Sequence, residues 1–390
     1  MTGSILELET HVSPSSPLYF GEGIETELPR YLERAEPDRC FLVTSPPLLQ
    51  LFGGGLLARL RAAGIRCEAV LIGEGEARKS WAALRDLCEE LVTRGATKDS
   101  LLLALGGGLI GNVAGFAAGV LYRGIRYVEI PTTVMAQTDG TLSNKQAING
   151  ARGKNQFGLY HAPLFVWTDC AYSRREPVRQ IRAALSEAVK NAFILGEWEV
   201  RRCEHLLRRT AGPPGDDFRE LLLAVIESKL AILRQDPSEK GYCVVLEYGH
   251  TFGHALEWLS GGALLHGEAV AIGMCLAARL SCELGLADEA LLDQHELLLG
   301  ELLGLPTETP AGGDPESILR TMLFDNKRNR HGLRFLLLED FGRFARQDGG
   351  WAVEADVRAV LRVLSSGATP AQAGSRDRMR SPALLGRERA

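Results

Sequence analysis

The chain has 390 residues, 45% hydrophobic and 24% charged with 43 glycines, which suits a globular protein of two or three domains and excludes a collagen-like, coiled-coil or wholly disordered chain. Its 44 basic and 49 acidic residues leave a formal charge of −5, so there is no broad electrostatic footprint for nucleic acid and any phosphate ligand is small and locally held. The 8 cysteines include no CxxC pair, and no basic segment with an apolar signal core opens the chain, so reduced thiols in a cytoplasm are expected.

Up to about residue 175, short β-rich runs alternate with helical segments. The runs are Cys40 to Thr44, Ala69 to Ile72, Ser100 to Leu105, Tyr127 to Ile130 and Leu164 to Thr168. Such alternation predicts a parallel sheet flanked by helices. The apolar stretch Leu101 to Tyr122 is punctuated by glycines and Asn112 and bounded by Arg123; it reads as a buried strand, a phosphate loop and a helix start, not a membrane span. Beyond 175, apolar residues recur at helical spacing, as in Arg219 to Arg234 and Asp288 to Leu303. From Ser365 the composition turns to Gly, Ala, Ser, Pro and Arg, that of a solvated tail. The expected organisation is an α/β domain over 1–175, a mostly helical domain over 176–365 and a disordered tail over 366–390.

Several motifs carry chemistry. Leu101 to Leu105 runs into Gly106, Gly107, Gly108, Gly111 and Asn112, and glycines at a strand-to-helix turn let backbone N–H groups approach a pyrophosphate. Gly75, Glu76 and Lys79 form a GExxK turn, and Pro131, Thr132 and Thr133 end a strand with two hydroxyls; each alone is a turn or a cap, and together they could hold a dinucleotide's adenosine and ribose. Asp139 to Gly158 reads as a glycine-punctuated loop in which Lys145, Lys154 and Asn155 offer cations and amide donors to a phosphate ester and a cofactor. Glu187 and Lys190 project from one face of a helix as a ligand or a buried ion pair. His250, His254 and His266 are three of 8 histidines and form a credible metal constellation; spacing alone pairs His250 with His254, as in HExxH, although residue 251 is no glutamate. Asp325, Asn326, Lys327 and Arg328 read as a charged turn.

Taken together, GExxK, GGGxxGN, PTT, the GKN loop, SEAVKN, GHTFGHALE, HGEAVAIGM and DNK resemble the sugar phosphate cyclase family, whose best-known member is 3-dehydroquinate synthase. The likeness runs from about residue 18 to 365. SNKQAIN, VVLEYGHTFGHALE and DNKR are nearer to the members that close glucose 6-phosphate into a carbocycle. The resemblance implies an α/β, Rossmann-like NAD-binding N-terminal domain, a mostly α-helical, metal-binding C-terminal domain and an active site between them.

By position the resemblance assigns one divalent ion, zinc or cobalt, to Glu187, His250 and His266, moving His254 to the phosphate side with Lys145, Asn155 and Lys327. It matches Arg123 to an arginine lent by a neighbouring subunit, hence a homodimer. Gly75, Glu76, Lys79, Gly107, Gly108, Asn112, Thr132 and Thr133 would hold NAD. Asp139, Lys145, Lys154 and Lys190 would line the shared cofactor and substrate space, and Lys229 the sugar-hydroxyl side. Where dehydroquinate synthase has a carboxylate-binding arginine and an asparagine, seven and three residues before the first histidine, this chain has Cys243 and Glu247. Without that arginine a substrate carboxylate's desolvation is not offset, and Glu247 would repel it. The expected reaction is oxidation of glucose 6-phosphate at C4, loss of the C5 proton with expulsion of phosphate, return of the hydride, and aldol closure. Lys145, Lys190, His254 and Glu247 are the expected catalytic residues, Glu247 as base at C5 with the substrate phosphate as its rival. The competing expectations are another cyclase of the family, for the dehydroquinate synthase substrate or sedoheptulose 7-phosphate, and a metal-dependent polyol dehydrogenase.

Overall fold

The computed structural model describes residues 5–9, 16–151, 153–210, 216–237, 239–310, 312–323 and 333–366. The strands are β1 (Leu6–Glu9), β2 (Pro17–Gly21), β3 (Cys40–Thr44), β4 (Cys67–Leu71), β5 (Leu101–Gly106), β6 (Arg126–Pro131), β7 (Lys145–Gly150), β8 (Gly153–Tyr160) and β9 (Phe165–Asp169). Seven of them form one sheet in the order β1-β2-β9-β6-β5-β3-β4. All its pairings are parallel except that of β1 with β2 at the edge.

A parallel sheet is covered on both faces, so its strands read as unbroken apolar runs, and every residue of β3, β5 and β9 is buried. Phe41, Val43, Leu102 and Tyr127 pack on one face with the helices Trp81–Thr93 and Gly108–Val120. Leu42, Leu103, Val128 and Trp167 pack on the other with Leu28 and Leu56. The chain runs from β3 to the edge strand β4 and then returns to the far side of β3 as β5. Ligands of doubly wound sheets bind at such a reversal, beyond the carboxyl ends of the strands, and here the glycine loop occupies it. The start of the loop is tight: a Cβ on Gly106 would stand 2.6 Å from Ile110, and one on Gly107 would stand 3.1 Å from Thr133.

From Val178 the chain is mostly helical, with long helices at Val178–Leu195, Glu197–Arg209, Asp216–Leu233, His250–Leu259 and His266–Glu283. The pattern over 288–303 is helix Glu289–His295 running into a wider π-helical turn, Glu296–Leu302. One core spans both halves, joining Leu18, Val134 and Val166 to Phe193, Leu222, Phe252 and Ile272. Among the described residues no helix is long and apolar enough to cross a membrane, and the stretch over 101–122 is β5, the glycine loop and helix Gly108–Val120.

The expected loop over 139–158 is corrected by the structure. β7 and β8 pair as an antiparallel hairpin with a register shift between Ile148 and Gly150. β8 is solvent-exposed along most of its length, so no apolar alternation marks it as a strand. Its Gly158 is a packing requirement, since a Cβ there would lie 2.3 Å from the Gln146 carbonyl oxygen. Residues of the tail beyond Ser366 lie outside the described ones.

Candidate active site

Three helices meet with almost no side chain between their backbones. A Cβ on Gly267 would fall 1.7 Å from the Ala183 carbonyl oxygen, and one on Gly273 would fall 2.1 Å from that of Gly249. Gly249 itself has a φ of 77°, a left-handed conformation that starts helix His250–Leu259. These close crossings bring Glu187, His250 and His266 from three helices to one point, with one ligand atom of each within 4.8 Å of the others. His250 Nε2 is 3.6 Å and His266 Nε2 3.8 Å from Glu187 Oε1.

Glu187 makes the buried ion pair that its sequence context offered and keeps one oxygen for a ligand. One carboxylate oxygen contacts the Lys190 ammonium in a fully buried ion pair. The other, Oε1, is buried without a hydrogen-bond partner among the described residues and faces the two imidazoles. An orphaned carboxylate oxygen opposite two ring nitrogens is the donor set of a divalent zinc or cobalt site with open positions, so the residues fit that group. His254 stands beside this cluster, its ring 5.2 Å from that of His250 and 6.1 Å from that of His266.

Both histidines are oriented from behind. His250 Nδ1 donates to the Tyr248 carbonyl oxygen at 3.1 Å, and His266 Nδ1 donates to Glu257 Oε2 at 3.0 Å. The other oxygen of Glu257 takes the Lys154 ammonium at 2.6 Å. Burial alone would raise the Glu257 carboxyl, yet His266 and Lys154 hold it down at about 2. Burial likewise opposes a charged His266, and Glu257 with Glu187 overcomes it, raising that ring's pKa. Sequence reading passed over Glu257, although it closes GHTFGHALE two helical turns after His250, on the same face.

Next to the cluster, Lys229 Nζ meets Asp139 Oδ1 at 2.6 Å. Burial would raise Asp139, but Lys229 and Lys190 bring it down to about 2. Asp139, Lys229, Lys190 and Glu187 thus form one alternating set of charges. The β7–β8 hairpin is tied to the GExxK turn: Asn149 Nδ2 donates to Glu76 Oε1 at 2.8 Å, its N–H donates to the Lys79 carbonyl oxygen, and Lys79 Nζ donates to Asn155 Oδ1. Gly75 turns there with a φ of 91°, and burial pushes the Lys79 ammonium down to about 8. Lys154 lies 3.8 Å from Glu76, so the same lysine joins turn, hairpin and histidine cluster.

Asn112 uses both ends of its amide, accepting from Ala147 N–H and donating to the Gly108 carbonyl oxygen, each at 2.8 Å. Thr133 caps helix Val134–Thr138 through Ala136 N–H at 3.2 Å, whereas the buried Thr132 hydroxyl has no partner among the described residues. A small pocket under the loop is lined by Gly107, Gly108, Asn112, Glu129, Thr141 and Gln146 among others. Glu129, which no motif flagged, accepts from Tyr127 and Gln146 at 3.2 Å; burial raises it to about 7 against those two hydrogen bonds.

Lys145 and Cys243 stand near the Lys229 end of the alternating charges, since Lys229 and Lys145 both act on the Cys243 thiol. Lys145 contacts Glu239, and Lys327 lies outside the described residues. Arg123 is exposed at the far end of the 13-residue glycine-loop helix, roughly 20 Å from that loop at 1.5 Å per residue. Glu247 is half-buried and ends the short 3₁₀ helix Tyr242–Glu247, immediately before Tyr248. Cys243, in the same turn, donates its N–H to Asp236 Oδ2 at 3.0 Å. Burial, with Asp236 and Glu239, pushes its thiol up to about 11.

A parallel sheet with a glycine loop at its reversal, joined to a helical half bearing two histidines and a carboxylate, is the build of a two-domain dinucleotide- and metal-using enzyme. The models for the 3-dehydroquinate synthase N-terminal and C-terminal regions match residues 69–183 and 184–328, and the chain belongs to the 3-dehydroquinate synthase family. It is 37% identical to 2-deoxy-scyllo-inosose synthase of Streptomyces kanamyceticus, over 87% of this chain and 89% of that one. It is also 36% identical to 3-dehydroquinate synthase of Pelobacter propionicus, over 80% and 86%. The crystal structure of 2-deoxy-scyllo-inosose synthase complexed with carbaglucose-6-phosphate, NAD+ and Co2+ aligns with a TM-score of 0.85 at 30% identity, covering 93% of this chain and 100% of that one.

Proposed function

We propose that the chain converts D-glucose 6-phosphate to 2-deoxy-scyllo-inosose with release of phosphate, a carbon–oxygen lyase reaction dependent on NAD and one zinc or cobalt ion. The observation that carries this reading is the buried, unpartnered Glu187 Oε1 facing His250 and His266, in a chain similar to synthases of that name. Glu187, His250 and His266 hold the metal. Gly75, Glu76, Lys79, Gly107, Gly108, Asn112, Thr132, Thr133, Asp139, Lys145 and Lys154 hold the dinucleotide. When bound, NAD supplies a reversible hydride acceptor and the cation a Lewis acid at the substrate hydroxyls.

The remaining steps fall to the chain's own groups. Once C4 is a ketone the C5 proton is acidic, and Glu247 takes it as the C6–O bond to phosphate breaks. Lys145, Asn155, His254 and Lys327 hold the departing phosphate oxygens, with Arg123 supplied by a second subunit of a homodimer. Lys190 and Lys229 fix the sugar hydroxyls, each held in place by a carboxylate, Glu187 for the first and Asp139 for the second. Cys243 argues for a substrate without a carboxylate: its neutral thiol, bonded to the Asp236 carbonyl oxygen at 3.4 Å, offers no charge to offset the desolvation of one.

On this reading residues 1–175 form the NAD-binding domain and 176–365 the metal domain, and the enzyme acts in the cytoplasm in aminoglycoside antibiotic formation. Glucose 6-phosphate carrying deuterium at C4 tests it. Phosphate should be released and the label should return to the carbon it left. Loss of the label into accumulated NADH would mark a dehydrogenase instead.

A further inference from the structure

We infer that His295 is a positioning residue of the metal cluster, setting His250 through Tyr248 and bracing the Glu187 helix through Phe193. The inference rests on the metal-site reading above. His295 is fully buried at the end of helix Glu289–His295, where the chain passes into the π-helical turn. Its Nδ1 lies 2.7 Å from the Leu291 carbonyl oxygen. A carbonyl can only accept, so Nδ1 carries the ring proton and Nε2 is a lone pair. That lone pair is 2.9 Å from the Tyr248 hydroxyl, which must therefore donate.

The series continues through the same tyrosine to the metal. The Tyr248 carbonyl accepts from His250 Nδ1, which leaves His250 Nε2 as the lone pair facing Glu187 Oε1. Leu291 thus sets the proton of His295 and His295 that of the Tyr248 hydroxyl, while the Tyr248 carbonyl sets that of His250; the two bonds of Tyr248 are linked through its covalent frame, so anchoring the phenol fixes where that carbonyl stands. Burial keeps His295 neutral, its pKa pushed down to about 4.

A second contact reaches another ligand. The Phe193 ring stacks on His295 at 3.9 Å with 21° between planes, and Phe193 belongs to the helix that carries Glu187. Tyr248 also lies between half-buried Glu247 and left-handed Gly249, so anchoring its ring fixes the turn that presents both neighbours. A fully buried imidazole and phenol with one bond between them contribute direction that an apolar pair of equal volume would not.

The test is titration of the chelator-stripped full chain with Co²⁺, following the visible cobalt band and the thermal midpoint. His295→Phe and Tyr248→Phe should each weaken Co²⁺ binding roughly tenfold or more, the lower end for groups behind a ligand, and should alter the band. His295→Gln, whose amide oxygen can accept from Tyr248, should fall closer to the native protein. The double variant His295→Phe/Tyr248→Phe removes both polar groups; its midpoint should recover while its affinity stays low. Affinity that recovers with the midpoint, or single variants that bind Co²⁺ as the native protein does, would overturn the inference. Tyr248→Phe deletes one oxygen and reads the same contact should His295→Phe not fold. A native chain that fails to bind Co²⁺ would instead remove the metal-site reading itself.

Discussion

Glu257 and His266 form the hydrogen bond that turns the second ring nitrogen of a metal-cluster histidine toward Glu187, with Oε2 and Nδ1 3.0 Å apart. Glu257 also holds Lys154 of the β7–β8 hairpin, so one carboxylate connects the helical half to the sheet half. Its replacement by glutamine keeps the shape and removes the charge. Glu257→Gln should lower metal affinity about 10- to 100-fold, as for other groups behind a ligand histidine. Equilibrium titration with Co²⁺ measures it, and unchanged affinity would remove Glu257 from the site.

Glu187 is proposed to serve the ion pair and the metal at once, and the two duties can be separated. Glu187→Gln leaves the Lys190 ammonium buried without its counter-charge, a change that typically costs about 3–5 kcal/mol. Both the thermal midpoint and metal content should fall. Adding Lys190→Met should restore much of the midpoint while the protein stays metal-free. A double variant that regains metal would contradict the assignment of Glu187.

Glu129 makes stability depend on pH in the neutral range. Its carboxyl is raised from 4.5 to about 7 by burial, against the hydrogen bonds of Tyr127 and Gln146. A folded-state pKa above the unfolded one gives stability that is fully present below the unfolded value and lost as pH rises through the folded value. Between pH 5 and 8 that loss is on the order of 3 kcal/mol, at about 1.4 kcal/mol per unit. Glu176, half-buried where its carboxylate accepts from the Val134 N–H and also raised to about 7 by desolvation, acts in the same direction. Glu129→Gln should flatten the melting profile over that range and raise the midpoint at pH 8. A profile as steep as that of the native chain would contradict the account.

Glu247 is proposed as the base at C5, in competition with the substrate's own phosphate. Glu247→Gln should reduce phosphate release at least about 10²-fold, the usual worth of a positioned base, while NAD binding is unchanged. Release at nearly the native rate would assign proton removal to the phosphate.

The five parallel strands β3, β4, β5, β6 and β9 were legible because their chemistry is one-dimensional, whereas β1 and β2 were not read. The run Cys40–Thr44 is apolar from Cys40 to Val43 and buried at every position, and β5 could be read into the glycine loop without a gap. The β7–β8 hairpin was not legible, because β8 is exposed and its pairing is set by backbone approach at Gly158. Spacing within one helix suggested His250 with His254, whereas the three converging ligand atoms come from three helices joined at Gly249, Gly267 and Gly273. No local period records that crossing; only the family's motifs separated His266 from His254. Glu129, Glu257 and His295 escaped notice for a related reason, since each acts through partners that are distant in sequence or on another element.

The central claim, a cyclase for a sugar phosphate that lacks a carboxylate, is tested most directly by supplying the purified chain with NAD and Co²⁺ or Zn²⁺. Glucose 6-phosphate, sedoheptulose 7-phosphate and the dehydroquinate synthase substrate are offered separately, and released phosphate and net NADH are followed together. The account predicts phosphate and a six-membered carbocyclic ketone from glucose 6-phosphate, with no NADH build-up. Turnover of the carboxylate-bearing substrate in its place, or NADH accumulating without phosphate, would contradict it.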